Sequence, residues 1–155
     1  MAEIKVTASA GNSTMTEIHT GNHIIYIDEP PFFGGEDQAP SPVATFLASL
    51  AGCINAIGQW IAKEMKITIQ SLQMEIVGDV DSKCFCQGDE SVRAGFSAIR
   101  VTLDLVSDAS EEAAAAWKEA VMKRCPVCDN ICHPTEFSLN MNSKYADVTK
   151  ENLKK

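Results

Sequence analysis

Residues 41–65 of the chain read SPVATFLASLAGCINAIGQWIAKEM, and this stretch decides the fold. Serine is a favoured N-cap residue and proline suits the first position of a helix, so Ser41 and Pro42 mark a helix start. The 25 residues from 38 to 62 contain no charged side chain, which is long enough on paper to cross a bilayer. Prolines at the start of this stretch and polar residues spread through it favour a soluble protein with no membrane partner. We therefore predict a central helix over 41–65 that is buried on nearly all sides.

The composition is that of an ordinary globular protein. Of the 155 residues, 45% are hydrophobic and 22% are charged, which predicts a single domain over residues 1–155. The net charge of -8 disfavours nucleic acid as a partner, because a protein that binds a phosphate backbone needs clustered cations. The first residues lack the basic region and the apolar run of a signal peptide, so we expect a cytoplasmic protein with reduced cysteines.

Alternating apolar and polar residues predict strands on both sides of the central helix. The loop from Glu29 to Pro42 is rich in proline and glycine, and Ser110 can cap a further helix. The other predicted elements are N-terminal strands over 1–28, strands around 72–76 and 99–105, a second helical region over 110–132 and a strand over 135–141. Strands cluster separately from helices, so the expected fold class is α+β with an antiparallel sheet.

Two features predict that this domain is not a self-sufficient monomer. The central helix is apolar on more faces than one small sheet can cover. The N-terminal strands are joined to the rest only by the loop between 29 and 42, which lets them dock onto a second subunit.

Cys53 lies in the middle of the central helix, directly after Gly52. A glycine inside a helix costs about 1 kcal/mol relative to alanine, so we expect another helix or a small ligand to approach the backbone of Gly52 closely. The alternative is that Cys53 is an inert cysteine of the hydrophobic core, which is a common fate of this residue type.

A second group of cysteines lies in residues 124–133, RCPVCDNICH. If Pro126 starts a new helical turn, the sulfur of Cys125 lies at a helix N-terminus, where the dipole favours the thiolate. The Cys125–Cys128 spacing is also that of a disulfide oxidoreductase, although the strand-then-helix context of thioredoxin is missing. A structural zinc or iron site is a further alternative, with the candidate ligands Cys125, Cys128, Cys132 and His133.

Three motifs in this order resemble the OsmC/Ohr family of osmotically inducible and organic-hydroperoxide-resistance proteins. They are GGEDQAPSP over 34–42, LASLAGC over 47–53 and CPV over 125–127. The resemblance extends over nearly the whole chain, because the order of strands and helices also agrees. It is closer to the general OsmC-like branch than to the Ohr branch.

The resemblance implies antiparallel sheets around two long central helices in an intertwined homodimer. It also implies a thiol peroxidase, a stress-response antioxidant enzyme that reduces organic hydroperoxides in an apolar pocket. In this sequence Cys53 would be the peroxidatic thiolate and Cys125 the resolving thiol. An external dithiol such as a lipoyl group would be the reductant, and no bound cofactor would be needed.

The sequence departs from the family pattern at two linked positions. The family's peroxidases carry an arginine in the N-terminal strands, whereas the first arginine here is Arg93. They also carry a glutamate ten residues before the first cysteine, where this chain has Val43. A buried cysteine without a nearby cation has a raised pKa. The alternative function is therefore an OsmC-fold dimer without peroxidase activity that binds a small apolar ligand or a metal.

Overall fold

A computed structural model of the chain describes residues 3–143. The described part is an α+β fold with two antiparallel sheets, which confirms the predicted class. The strands are β1 Thr7–Ala10, β2 Thr16–Thr20, β3 His23–Ile27, β4 Ile69–Asp79 and β5 Ala98–Ser107. The helices are α1 Pro42–Met65, α2 Lys83–Gln87, α3 Glu111–Arg124 and α4 Pro126–Cys132, and a 3-10 turn covers Pro31–Phe33.

Helix α1 begins and ends with the signals that its sequence carries. The Oγ of Ser41 accepts a hydrogen bond from the backbone N–H of Ala44, at 3.3 Å. Lys66 ends the helix in the left-handed region, with φ 59°. By length and composition α1 could cross a membrane, a test that the core helix of a soluble protein also passes.

Among residues 3–143, other parts of the chain bury only one face of α1. The expectation of burial on nearly all sides is wrong here, since Phe46 is 43% exposed and Trp60 is 62% exposed. The buried face consists of residues at helical spacing: Leu50, Ile54, Ile57, Gly58, Ile61 and Ala62. Helix α1 therefore has an apolar face that no other described element of this chain covers.

The two sheets differ in their relation to the core. In the β4–β5 hairpin, Met74 pairs with Leu103, and alternate residues of both strands pack against α1 and α3. The three-stranded sheet, in the order β1-β2-β3, contributes no residue to the hydrophobic core of the described chain. The N-terminal strands thus form a separate layer, as the long loop that follows them suggests.

Helix α3 packs against α1 through a tryptophan. Trp117 is 2% exposed, and its Nε1 donates a hydrogen bond to the backbone oxygen of Gly58, at 2.9 Å. A Cβ on Gly58 would lie 2.7 Å from Cζ2 of that ring. Glycine is therefore required at 58 because the indole lies directly on the helix backbone.

A buried carboxylate orders the loop that leads into α1. Asp28 is 2% exposed and accepts hydrogen bonds from the Thr14 hydroxyl at 2.6 Å and from the N–H groups of Glu36 and Gln38. The Thr14 hydrogen bond, helped by these backbone N–H groups against the effect of burial, lowers the pKa of Asp28 to about 2. Asp28 thereby fixes the loop relative to the N-terminal sheet.

The C-terminal prediction is wrong for the described residues. Residues 135–141 contain no strand, and the side chains expected to point inward are almost fully exposed: Phe137 84%, Leu139 85% and Met141 84%. The alternation is real, but this part of the chain offers no partner strand to it. The sequence did not predict the short helix α2. At its start, Ser82 makes no side-chain cap hydrogen bond.

Candidate active site

The fold brings Cys53 and Cys125 into direct contact, although 72 positions separate them in the sequence. Their Sγ atoms lie 2.9 Å apart and share a hydrogen bond. Cys53 projects from the middle of α1, and Cys125 occupies the junction between α3 and α4. The junction exists because Pro126 disfavours helical backbone at the residue before it, and Cys125 is extended, with φ -77° and ψ 113°.

Several donors surround the sulfur of Cys125, which is 0% exposed. The backbone N–H of Cys128 donates to it at 3.4 Å, so Cys125 is itself the N-cap of α4. Burial opposes ionisation of this thiol, but hydrogen bonds from the Cys53 thiol and from Cys128 and Val127 outweigh it and lower the pKa of Cys125.

Cys53 shows the opposite behaviour. Burial and the neighbouring Cys125 sulfur raise the pKa of the half-buried Cys53 thiol. These opposite shifts favour Cys125 as the site of the negative charge when the pair loses one proton, with the Cys53 thiol keeping its proton. The family resemblance implied the thiolate at Cys53, whereas the helix start at Pro126 favoured it at Cys125.

No cation is among the groups that set these two pKa values in the described part of the chain. Arg100 and Arg124 form exposed ion pairs with carboxylates of Asp79 and Glu64. His19 is paired with Glu17. Arg93 lines a cavity of about 580 Å³ beside Val43, and neither Cys53 nor Cys125 is among the residues that line it.

The expected close approach to Gly52 is not present within the described chain. A Cβ built on Gly52 would meet nothing within 4 Å. The close contact predicted for α1 occurs six residues later, where Trp117 lies on Gly58. Within the described chain, the glycine of this helix that another element contacts closely is Gly58.

The remaining cysteines fall into two places. Cys128 and Cys132 line an apolar cavity of about 420 Å³ between α1, β5, α3 and α4. Cys84 and Cys86 lie in α2, away from the thiol pair. Within residues 3–143 no three His, Cys, Asp or Glu side chains converge to hold a metal ion. His133 instead pairs with Asp129, with Nδ1 and Oδ1 3.0 Å apart.

The hydrogen bond from the backbone N–H of Cys128 to the Cys125 sulfur was not predicted from the sequence. Its signal was present, because an N-cap residue accepts a hydrogen bond from the N–H three positions later. Cys125 and Cys128 have that spacing, and Pro126 marks the first position of the helix. A cap formed by a thiol rather than a hydroxyl is what the spacing did not reveal.

The family model for OsmC-like proteins matches residues 35–140, which include both cysteines of the pair. The chain belongs to the OsmC-like family. The resemblance stated from the motifs is thus confirmed. A comparison with curated protein sequences gives no significant match.

Solved structures agree with this OsmC-like assignment at the level of the fold. An OsmC-like protein from Mycoplasma pneumoniae superposes with a TM-score of 0.73 and 22% identity, covering 84% of this chain and 88% of that one. A putative osmotic stress induced and detoxification response protein from Psychrobacter arcticus superposes with a TM-score of 0.69 and 20% identity, covering 86% of this chain and 91% of that one. An organic hydroperoxide resistance protein from Legionella pneumophila superposes with a TM-score of 0.60 and 20% identity, covering 84% of this chain and 90% of that one.

Proposed function

We propose that this OsmC-like protein is a thiol peroxidase that reduces organic hydroperoxides with Cys53 and Cys125. The observation that carries the proposal is the contact of the two sulfur atoms at 2.9 Å, with one thiol donating to the other. A disulfide bond is about 2.05 Å long, so a small movement is enough to join them after oxidation. The name of the Legionella pneumophila relative supports the substrate class.

The attacking sulfur is that of Cys53, because it is half-buried whereas Cys125 is completely buried. Cys53 attacks the distal oxygen of the hydroperoxide, the O–O bond breaks and the alkoxide leaves. The proton of Cys53 moves to the Cys125 thiolate, which acts as the general base. Cys125 thus generates the Cys53 thiolate by acting as a base, whereas the family's peroxidases stabilise that thiolate with a cation.

Resolution uses the same pair. The alkoxide takes up the proton of Cys125, the resulting Cys125 thiolate attacks the sulfur of the Cys53 sulfenic acid, and the departing hydroxide takes a proton from solvent and leaves as water. In sum, two thiols and one hydroperoxide give a disulfide, an alcohol and a water molecule. An external dithiol then reduces the disulfide and restores both thiols.

We also propose that the working form is a homodimer. The uncovered face of α1, the N-terminal sheet that stands apart from the core and the exposed apolar residues of 137–141 support this proposal. Isolated proteins rarely leave so much apolar surface in contact with water.

A peroxide assay tests the peroxidase proposal. The reduced protein consumes cumene hydroperoxide in the presence of dihydrolipoamide, and Cys53→Ser lowers the rate at least about a hundredfold because a serine hydroxyl is a far weaker nucleophile. Cys125→Ser leaves a Cys53 sulfenic acid that dimedone traps and mass spectrometry detects. Cys86→Ser, an exposed thiol on α2, is the matched control and keeps the rate of the natural chain. Equal rates for Cys53→Ser and the control would overturn the proposal.

The second candidate is an OsmC-like protein that binds a small apolar molecule without reducing peroxides. The apolar cavity of about 420 Å³ favours it, because most of its wall consists of aliphatic side chains of α1, β5 and α3. A protein that retains a co-purified apolar compound and leaves cumene hydroperoxide unconsumed would have this second function.

A further inference from the structure

Cys125 is in contact with two other thiols. Cys53 lies 2.9 Å away on α1. Cys128 donates its backbone N–H to the Cys125 sulfur at 3.4 Å, and its side chain is among the groups that lower the pKa of Cys125. Cys125 therefore lies between a thiol that reacts with peroxide in the proposed function and a thiol for which that function has no use.

The three sulfur atoms differ in access from outside. Cys125 is 0% exposed, so no reductant can attack it in the folded chain. Cys128 is half-buried and lines the apolar cavity between α1, β5 and α4, whereas Cys53 and Cys125 are not among the described residues that line it. Of the three sulfur atoms, that of Cys128 is thus the one that a dithiol in this cavity can reach.

Burial and the neighbouring Cys125 sulfur together lower the reactivity of Cys128 while the pair is reduced. Burial, the hydrogen bond to Cys125 and the negative charge of Cys125 raise the pKa of Cys128 to about 12. A Cys125 sulfur that is part of a disulfide carries no charge. Oxidation of the pair therefore removes the repulsion and makes Cys128 a better nucleophile at the moment when a disulfide is available to attack.

We propose that Cys128 is a second resolving thiol that takes over the disulfide from Cys53. This inference rests on the proposed peroxidase function. The Cys128 thiolate attacks the Cys125 sulfur, the Cys125–Cys128 bond forms and the Cys53–Cys125 bond breaks. The electron pair of the broken bond stays on Cys53, which leaves as a thiolate and is ready for another hydroperoxide.

The exchange changes no overall oxidation state, so it requires no additional oxidant. The external dithiol of the proposed function then reduces the Cys125–Cys128 disulfide from the cavity, supplying two electrons and two protons. Cys132 lies one helical turn beyond Cys128 on α4, is exposed and lines the same cavity, and the proposed exchange does not use it. It therefore provides a matched control on the same helix.

The test is a time-resolved disulfide map of the full chain. Reduced protein receives one equivalent of cumene hydroperoxide, samples are quenched with acid and alkylated, and non-reduced peptides are identified by mass spectrometry. The natural chain and Cys132→Ser form Cys53–Cys125 first and then replace it by Cys125–Cys128. In Cys128→Ser and Cys128→Ala the Cys53–Cys125 disulfide persists, and dihydrolipoamide reduces it at least about tenfold more slowly than the natural chain.

The possible failures are distinguishable. A Cys53–Cys125 disulfide that persists in the natural chain, with equal reduction rates in Cys128→Ser, overturns the role of Cys128 and leaves the peroxidase intact. Cys53 that stays a thiol after peroxide treatment overturns both proposals. A slow reduction shared by Cys132→Ser and Cys128→Ser shows damage to α4 instead and overturns the specific role of Cys128. Circular dichroism of both Cys128 variants verifies that they are folded.

Discussion

Replacing Gly58 by alanine tests the central packing contact of the fold. The new Cβ would lie 2.7 Å from Cζ2 of Trp117, 3.5 Å from Cε2 and 3.6 Å from Cη2. Carbon atoms in contact prefer about 3.5–4.0 Å, so the indole must move by roughly 1 Å. It has little room to do so, because Trp117 is 2% exposed and its Nε1 is hydrogen bonded to the oxygen of residue 58 itself.

The magnitude follows from three contributions. Overpacking of a core costs about 1–3 kcal/mol, and a strained or lost hydrogen bond adds about 1 kcal/mol. Alanine gains about 1 kcal/mol over glycine in a helix interior. We expect Gly58→Ala to lower the free energy of unfolding by about 1–3 kcal/mol, or the melting temperature by roughly 2–4 °C per kcal/mol in a chain of this length.

Urea unfolding of the reduced protein measures this change, and Gly52→Ala in the same helix is the comparison. Nothing in the chain lies within 4 Å of a Cβ at Gly52, so this variant gains about 0.5–1 kcal/mol unless a partner subunit covers the position. A double-mutant cycle with Trp117→Phe isolates the clash, because phenylalanine lacks the ring that carries Cζ2. Gly58→Ala that is as stable as the natural chain, or a cycle with additive energies, would refute the packing argument.

Three further predictions concern the thiol pair, the loop and the proposed dimer. In the natural chain the peroxide reaction accelerates with rising pH through a midpoint below the value of an ordinary thiol, because the pKa of Cys125 is lowered. In Cys125→Ser the midpoint of dimedone labelling after peroxide moves above that value, since burial still raises the pKa of Cys53. Asp28→Asn has a lower free energy of unfolding than the natural chain above about pH 4. The difference shrinks as the pH falls toward 2, because protonation of Asp28 removes the stability that its lowered pKa contributes. Urea midpoints at several pH values measure this difference, and a difference that does not change with pH would contradict the prediction. Leu139→Asp shifts the proposed dimer toward monomer in light scattering, whereas Phe32→Asp, at an equally exposed residue, does not.

The sequence was sufficient for those parts of the fold that depend on local signals. The Ser41–Pro42 cap and the alternation in β4 and β5 identified their elements because capping and side-chain period are properties of neighbouring residues. Residues 135–141 alternate as a strand does, yet a strand needs a hydrogen-bonding partner, and none is present in the described chain. Local pattern predicts the capacity to pair but not where the partner is.

The site shows a similar division. That Cys53 and Cys125 meet was implied by the family resemblance, because no periodicity connects residues 72 positions apart. Which of the two favours the charge depends on the N–H of Cys128 and on the burial of each sulfur, and the sequence indicated only the helix N-terminus beside Cys125. Gly52 and Gly58 likewise have the same local context, and only the position of Trp117 distinguishes them.

The missing arginine and glutamate change the electrostatics of the site in a definite direction. An arginine beside the sulfur would offset the negative charge of the thiolate. Thiol and backbone donors stabilise the thiolate through hydrogen bonds but add no positive charge. The first step of the proposed reaction therefore begins with one negative charge on Cys125 and ends with that charge on the departing alkoxide. Two unit charges of the same sign 4 Å apart repel by about 4 kcal/mol at an effective dielectric constant near 20. A site of this kind disfavours hydroperoxides that bring their own carboxylate close to the sulfur atoms and favours neutral alkyl hydroperoxides. The loss of the ion pair thus acts on substrate choice as well as on the reactivity of Cys53.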